Sequence, residues 1–277
     1  MDIPPIGFGT HLLREEEAYN AVYCALTCGY RLIDTATIYR NEEHVGRAIR
    51  DFCEERKHVK REDIFLVSKL SPREQGYEAA KKAVEESLER LQVSYIDLYL
   101  IHWPGKAKLK PGNVEHKKWR RESWEALEEL CKEQKLRYIG VSNYTVRHME
   151  ELLAHCNLPP FVNQVEMHPR CTQIHLAGFC RDRGVRMMAY SPLGCGEMLN
   201  NNVIVNIAKK MQQTPSSVLL AWARQVNGAI AIPRSTKVDH MKANLESLAL
   251  VLDQNNLDKL SALDDNCHYC WDPSEIA

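Results

Sequence analysis

Eight short apolar runs, each followed by an amphipathic stretch, are the feature that most limits what this chain can fold into. The runs fall at residues 6–10, 31–36, 64–70, 96–103, 137–142, 162–167, 185–193 and 229–233, and the amphipathic stretches at 15–27, 42–57, 77–91, 122–134, 146–155, 174–183, 203–226 and 239–248. Strands separated in this way run parallel, because a helix-length crossover returns the chain to the same end of the sheet. Eight such units in 277 residues predict a sheet closed on itself, a (β/α)8 TIM barrel of the α/β class. Residues 1–277 then read as one barrel domain with a short C-terminal tail from about 264. An open doubly wound sheet is the competing arrangement. Its dinucleotide-binding turn needs a third glycine that Gly7-Phe8-Gly9-Thr10-His11-Leu12 does not supply. The stretch 203–226 should divide at Thr214-Pro215, with Thr214 as cap and Pro215 in the first helical turn. The insertion 104–121 follows a strand directly and should be a loop over the C-terminal face.

A formal net charge of −1 with mixed signs gives no electrostatic case for nucleic acid or an anionic membrane, so any anion site must be local. No run approaches the roughly 18 apolar residues of a spanning helix, and the N-terminus lacks a basic segment followed by an apolar one. The expectation is a soluble, cytoplasmic protein. The ten cysteines lack a framework spacing and read as reduced thiols. Cys267-His268-Tyr269-Cys270 is half of a metal or redox motif without its second half, so no metal is expected.

In a barrel the C-terminal strand ends converge, which singles out Asp34, Lys69, His102, Ser142, Asn143, Gln164, Ser191, Arg234 and Ser235. Lys69 follows a run that reads as buried, where an ammonium needs a carboxylate partner, and Asp34 is the candidate. Asp34 and Tyr39 share a short loop before a helix capped by Asn41, whose apolar positions Val45, Ala48, Ile49 and Phe52 recur at helical spacing. Taken singly each has a plain structural reading: Asp34 a cap, Tyr39 a packed ring with its hydroxyl in water, Lys69 snorkelling, His102 a satisfied core residue.

Taken together, Gly7-Phe8-Gly9-Thr10, Leu32-Ile33-Asp34-Thr35-Ala36 through Tyr39, the run containing Lys69, and Asp97 to Pro104 with His102-Trp103 resemble the aldo-keto reductases. Ile139 to Asn143, Asn163-Gln164-Val165-Glu166, Ala189 to Gly194 and Ile232-Pro233-Arg234-Ser235 through Asn244 continue that resemblance in the same order over the whole chain. The resemblance implies an NADPH-dependent carbonyl reductase, with Tyr39 as general acid, Lys69 lowering the phenol's pKa, Asp34 holding Lys69, and His102 orienting the carbonyl. A phenol of ordinary pKa near 10 donates poorly at neutral pH, and a neighbouring ammonium would favour its ionised form.

For the cofactor, NADPH or NADP+, the resemblance assigns Thr10 and Asp34 to the site, Ser142, Asn143 and Gln164 to the carboxamide, and Tyr190 to the nicotinamide face. Ser191 and Leu193 would meet the pyrophosphate, Arg234, Ser235 and Thr236 the 2′-phosphate, and Asn244 the adenine. The chain departs from the pattern in three places. His240 stands where a second phosphate-binding arginine is common, with Ala243 in place of an acidic residue. His11 replaces an aromatic residue of the substrate pocket, leaving Trp103 as its apolar wall. The chain also starts at the second strand of the family's N-terminal hairpin, so a less covered barrel floor is expected.

The short tail has two readings: an open pocket for small or varied carbonyl compounds, or a packed end anchored by Trp271. Small aldehydes and dicarbonyls are the expected substrates, with larger ketones such as steroids or prostaglandins next. A non-catalytic NADPH-binding barrel is the alternative of a different class, and the complete set Asp34, Tyr39, Lys69 and His102 argues for the enzyme. A monomer is expected from the lack of an evident interface stripe.

Overall fold

In the computed structural model, which describes residues 2–277, the apolar runs become eight strands: β1 (Phe8–Gly9), β2 (Leu32–Asp34), β3 (Phe65–Leu70), β4 (Ile96–Ile101), β5 (Leu136–Ser142), β6 (Val162–Glu166), β7 (Arg186–Tyr190) and β8 (Ile230–Ile232). They pair in parallel and in sequence order. A parallel bridge between Ile6 and Ala231, with the Gly7 N–H donating to the Ala231 carbonyl at 2.8 Å, brings β8 back to the start. The result is the expected (β/α)8 barrel.

Around it run α1 (Glu15–Cys28), α2 (Glu42–Glu55), α3 (Tyr77–Leu91), α4 (His116–Lys132), α5 (Val146–Leu153), α6 (Ile174–Arg181), α7 (Asn202–Met211), α8 (Pro215–Asn227), α9 (Val238–Glu246) and α10 (Gln254–Ser261). Val45, Ala48, Ile49 and Phe52 form the buried stripe of α2. The break before Pro215 falls where expected, and the Thr214 hydroxyl accepts the Ser217 N–H at 3.1 Å. Among the described residues no helix is long and apolar enough to cross a membrane.

Strand parity explains where the polar groups go. Leu32, Phe65, Val67, Leu98, Leu100, Val162, Met188, Ile230 and Ile232 form one cluster inside the barrel, while Ile33, Leu66, Tyr99, Val165 and Ala189 belong to the larger core under the helices. Successive side chains alternate between the two faces. Continuing the inward set by two therefore adds Asp34 after Leu32, Lys69 after Val67, His102 after Leu100, Gln164 after Val162 and Tyr190 after Met188. These polar residues cap an apolar lumen at its C-terminal end. At the other end Ile3 joins the inner cluster, and Tyr138 stacks on Phe161 at 4.2 Å.

Three local expectations need correction. Helix α4 begins at His116, so only the first part of the insertion 104–121 is loop. Its polar first turns face inward: the His116 imidazole accepts the Lys106 N–H at 2.9 Å, and Arg120 pairs with Glu151 at 2.8 Å, contacts that an apolar period cannot reveal. Asn41 precedes α2 but does not cap it with its side chain. Its amide is buried, donating to the Thr10 and Leu13 carbonyls at 3.0 and 2.9 Å and accepting the Thr35 hydroxyl at 2.7 Å, so it ties the loop after β1 to the loop after β2. The tail is packed, but Trp271 does not anchor it: that ring is 51% exposed, whereas Ile276 is buried.

Candidate active site

Four of the residues singled out by sequence meet at the C-terminal strand ends. Lys69 Nζ donates to Asp34 Oδ1 at 2.6 Å and to the Thr35 carbonyl at 2.8 Å, with both side chains buried. The ammonium lies 5.1 Å from the centre of the Tyr39 ring. Tyr39 reaches this position from a short 3-10 turn, Thr37–Tyr39, which the Thr37 hydroxyl fastens to the Lys69 carbonyl at 2.7 Å. His102 stands edge-on to Tyr39 with ring centres 5.7 Å apart, and the His11 ring lies tilted to the phenol at 4.9 Å. The series continues through Trp103, 6.2 Å from His102, to Trp271, 4.8 Å from Trp103. One arc of rings thus runs from the β1 loop to the tail.

Burial dominates the electrostatics. The Lys69 ammonium is pulled below its ordinary pKa by desolvation, with the Asp34 carboxylate opposing that fall. The His102 imidazole is held well below 6.5 by burial first, then by the Lys69 and His11 charges. It is neutral at physiological pH and carries one N–H. Its Nδ1 is buried without a hydrogen-bond partner.

Tyr39 corrects the expected direction. Burial, then the Asp34 charge and the Cys270 thiol, lift the phenol well above 10, and together they outweigh the opposing pull of the Lys69 ammonium 5.1 Å from the ring centre. The hydroxyl therefore keeps its proton at neutral pH, the form an acid must hold before it donates.

Beside these, the amide and hydroxyl groups interlock. Tyr190 donates to Asn143 Oδ1 at 2.7 Å, and Asn143 Nδ2 to the Ser142 hydroxyl at 3.1 Å. Ser142 donates to the Gln164 carbonyl at 2.8 Å, and Gln164 Nε2 to Asp34 Oδ2 at 2.7 Å. Asn143 takes φ +64°, a left-handed conformation that asparagine tolerates. Donors and acceptors of this kind, next to an aromatic ring, suit a primary carboxamide on a flat heterocycle.

Ser191 and Leu193 follow at the end of β7, and the Ser191 hydroxyl lies 3.6 and 3.7 Å from the Cys195 and Cys270 sulfurs. Arg234, Thr236 and His240 are exposed, with Ser235 partly so, around the start of α9. Two assignments fit less well. Thr10 is wholly buried, its hydroxyl donating to the Asp34 carbonyl at 3.0 Å, so it positions Asp34 rather than facing a ligand. Asn244 is also buried on α9, whereas Arg234 is exposed.

Sequence reading passed over two features of the site. Glu166 ends β6 two positions beyond Gln164, so parity alone puts it on the inner face. The tail then folds over the strand ends: the Tyr269 and Cys270 N–H groups donate to Glu166 at 2.9 and 3.2 Å. The two backbone N–H contacts to Glu166 leave no side-chain signature.

Relatives that match this chain along its whole length carry oxidoreductase names. The sequence model described as the Aldo/keto reductase family matches residues 5–265, and the chain belongs to that family. Over 277 residues it is 42% identical to a glyoxal reductase of Bacillus subtilis, covering 100% of this chain and 94% of the relative. It is 37% identical to a glycerol 2-dehydrogenase (NADP(+)) of Saccharomyces cerevisiae, covering 99% and 93%. Among solved structures, MGS-M4, an aldo-keto reductase enzyme from a Medee basin deep-sea metagenome library, superposes with a TM-score of 0.89 at 34% identity, covering 98% of this chain and 95% of that one.

Proposed function

We propose that this enzyme reduces small aldehydes and dicarbonyls to alcohols with NADPH, Tyr39 acting as the acid. The observation that carries the proposal is the cluster of a protonated phenol, a neutral imidazole and a buried ammonium–carboxylate pair around one point at the strand ends. When bound, NADPH supplies the hydride. The chain's own task is the oxygen, which gains negative charge as the carbonyl carbon is attacked. His102 offers its single N–H to that oxygen and fixes its direction. Tyr39 gives it the proton, and the Lys69 charge 5.1 Å from the ring centre offsets the negative charge left on the phenol. Asp34 keeps the ammonium in place.

The residues present fit the cofactor. Ser142, Asn143 and Gln164 would take the carboxamide, exchanging bonds they now make with one another, and Tyr190 would lie on the ring face. Ser191 and Leu193 would border the pyrophosphate. Arg234, with Ser235 and Thr236, would hold the 2′-phosphate, where a guanidinium can bind two oxygens at once. Small dicarbonyls are favoured by the glyoxal reductase similarity, and NADPH by the NADP(+)-named relative.

The test is NADPH oxidation against methylglyoxal, a nitrobenzaldehyde, a sugar aldehyde and a steroid ketone, with Tyr39→Phe as control. Turnover with the small substrates that disappears in Tyr39→Phe, while NADPH still binds, is the expected result. Unchanged turnover in the variant removes Tyr39 from the role, and a preference for NADH removes Arg234 from the phosphate.

A further inference from the structure

The Glu166 carboxylate receives four donors and uses both oxygens. Oε1 lies 2.9 Å from the Tyr269 N–H and 3.2 Å from His168 Nε2, and Oε2 lies 3.2 Å from the Cys270 N–H and 3.3 Å from His268 Nδ1. Burial alone would raise this carboxyl's pKa, but the hydrogen bond from His168 and the two backbone N–H groups hold it below the ordinary value. It stays ionised at neutral pH, so all four donors keep their acceptor.

The tail does not need Glu166 to stay attached. Before it, the Cys267 N–H donates to the Arg170 carbonyl at 2.9 Å and Arg170 Nε pairs with Asp265 at 3.2 Å. After it, Arg120 donates to the Ala277 carbonyl at 2.7 Å, His148 bonds the Ile276 carbonyl at 2.9 Å, and the Ala277 N–H reaches Pro111 at 2.9 Å. What Glu166 governs is the stretch between these anchors. There Cys270 approaches Ser191, and Trp271 closes on Trp103 at 4.8 Å. Because Trp271 is half exposed, its own burial cannot fix that position.

We infer that Glu166 is a positioning residue for substrate selection: by gripping the backbone of Tyr269 and Cys270 it sets Trp271 against Trp103, and this paired wall favours carbonyl compounds bearing a flat apolar group. The inference rests on the reductase reading for its substrate class, though not for its geometry. The two indoles are tilted 55° to each other, so an aromatic aldehyde can stack on one and meet the other at an angle, whereas methylglyoxal is too small to use both. Loss of the wall therefore weakens the first more than the second.

The test uses Glu166→Gln, Trp271→Ala and the double variant. Glutamine keeps the shape but replaces one acceptor oxygen by a donor that faces N–H groups. Amide hydrogen exchange at Tyr269 and Cys270 should quicken at least about tenfold in Glu166→Gln, and unchanged exchange overturns the grip whether or not the protein reduces anything. In kinetics, KM for nitrobenzaldehyde relative to methylglyoxal should rise about tenfold in either single variant, and the double variant should add little more. Equal losses on both substrates, or fully additive effects, overturn the selection role. Wild-type protein inert to every carbonyl would instead refute the reductase reading and with it the substrate class, leaving the exchange result to decide the grip.

Discussion

Lys69 Nζ lies 2.6 Å from Asp34 Oδ1 with the lysine side chain wholly enclosed and the aspartate 5% exposed. Two charges so deep in the protein are costly to desolvate, and their attraction offsets that cost only while both are present. Asp34→Asn leaves an ammonium among apolar walls with only neutral acceptors, the new amide oxygen and the Thr35 carbonyl. It should lower stability by about 3 to 5 kcal/mol in urea unfolding, while Asp34→Asn combined with Lys69→Met recovers much of the loss. Additive losses in the double variant would show that the two side chains are not coupled.

Gly46 sits on the buried face of α2, where a glycine-to-alanine change on propensity alone would add up to about 1 kcal/mol of stability. Here a Cβ would come 2.2 Å from the Leu91 carbonyl oxygen at the end of α3. Backbone cannot yield as a side-chain tip can, so overpacking outweighs propensity. Gly46→Ala should destabilise by about 1 to 3 kcal/mol. A gain in the urea midpoint would mean that the two helices slide apart freely.

Legibility followed the physics of each feature. The barrel was readable because eight apolar runs at a regular beat leave few ways to bury their faces, and the site because parity carries Leu32 to Asp34 and Val67 to Lys69 on one inner wall. Where a polar residue does structural work, the reading failed. Asn41 looked like a cap because caps and loop staples use the same side chain, and only the Thr10 and Leu13 carbonyls distinguish them. The start of α4 was hidden because His116 and Arg120 are inward-facing yet polar. The tail's path over the strand ends was missed because the Tyr269 and Cys270 N–H groups meet Glu166 through the backbone, which no side-chain pattern encodes.

His102 offers a check on protonation during turnover. Burial, then the Lys69 and His11 charges, depress its pKa well below 6.5, so it is neutral through the physiological range. The kcat/KM profile for an aldehyde should be flat through about pH 6 to 8, with no break near the free-imidazole value of about 6.5. A break there that vanishes in His102→Gln would show a titrating His102 and an imidazolium donor. His102→Gln retains an N–H donor and should keep more activity than His102→Leu.

His148 ties the tail's end to pH. The Thr145 N–H donates to its Nδ1 at 3.2 Å, which fixes Nδ1 as acceptor, so the ring's proton sits on Nε2 and donates to the Ile276 carbonyl at 2.9 Å. A second proton would set N–H against N–H at Thr145. Burial, reinforced by the Arg120 and Arg147 charges and opposed by the Ile276 bond, lowers the pKa to about 4. The unfolded chain, with its imidazole near 6.5, then binds a proton that the folded one refuses between about pH 6.5 and 4. The stabilisation is therefore complete above that window and lost as pH falls through it. Between pH 7 and 5 the wild type should lose about 2 kcal/mol more than His148→Leu in urea unfolding, at about 1.4 kcal/mol per pH unit. Protection of the Ile276 and Ala277 amides, taken relative to the intrinsic exchange rate at each pH, should fall over the same range. Equal pH dependence in the two proteins would mean that His148 accepts its second proton without disturbing Thr145.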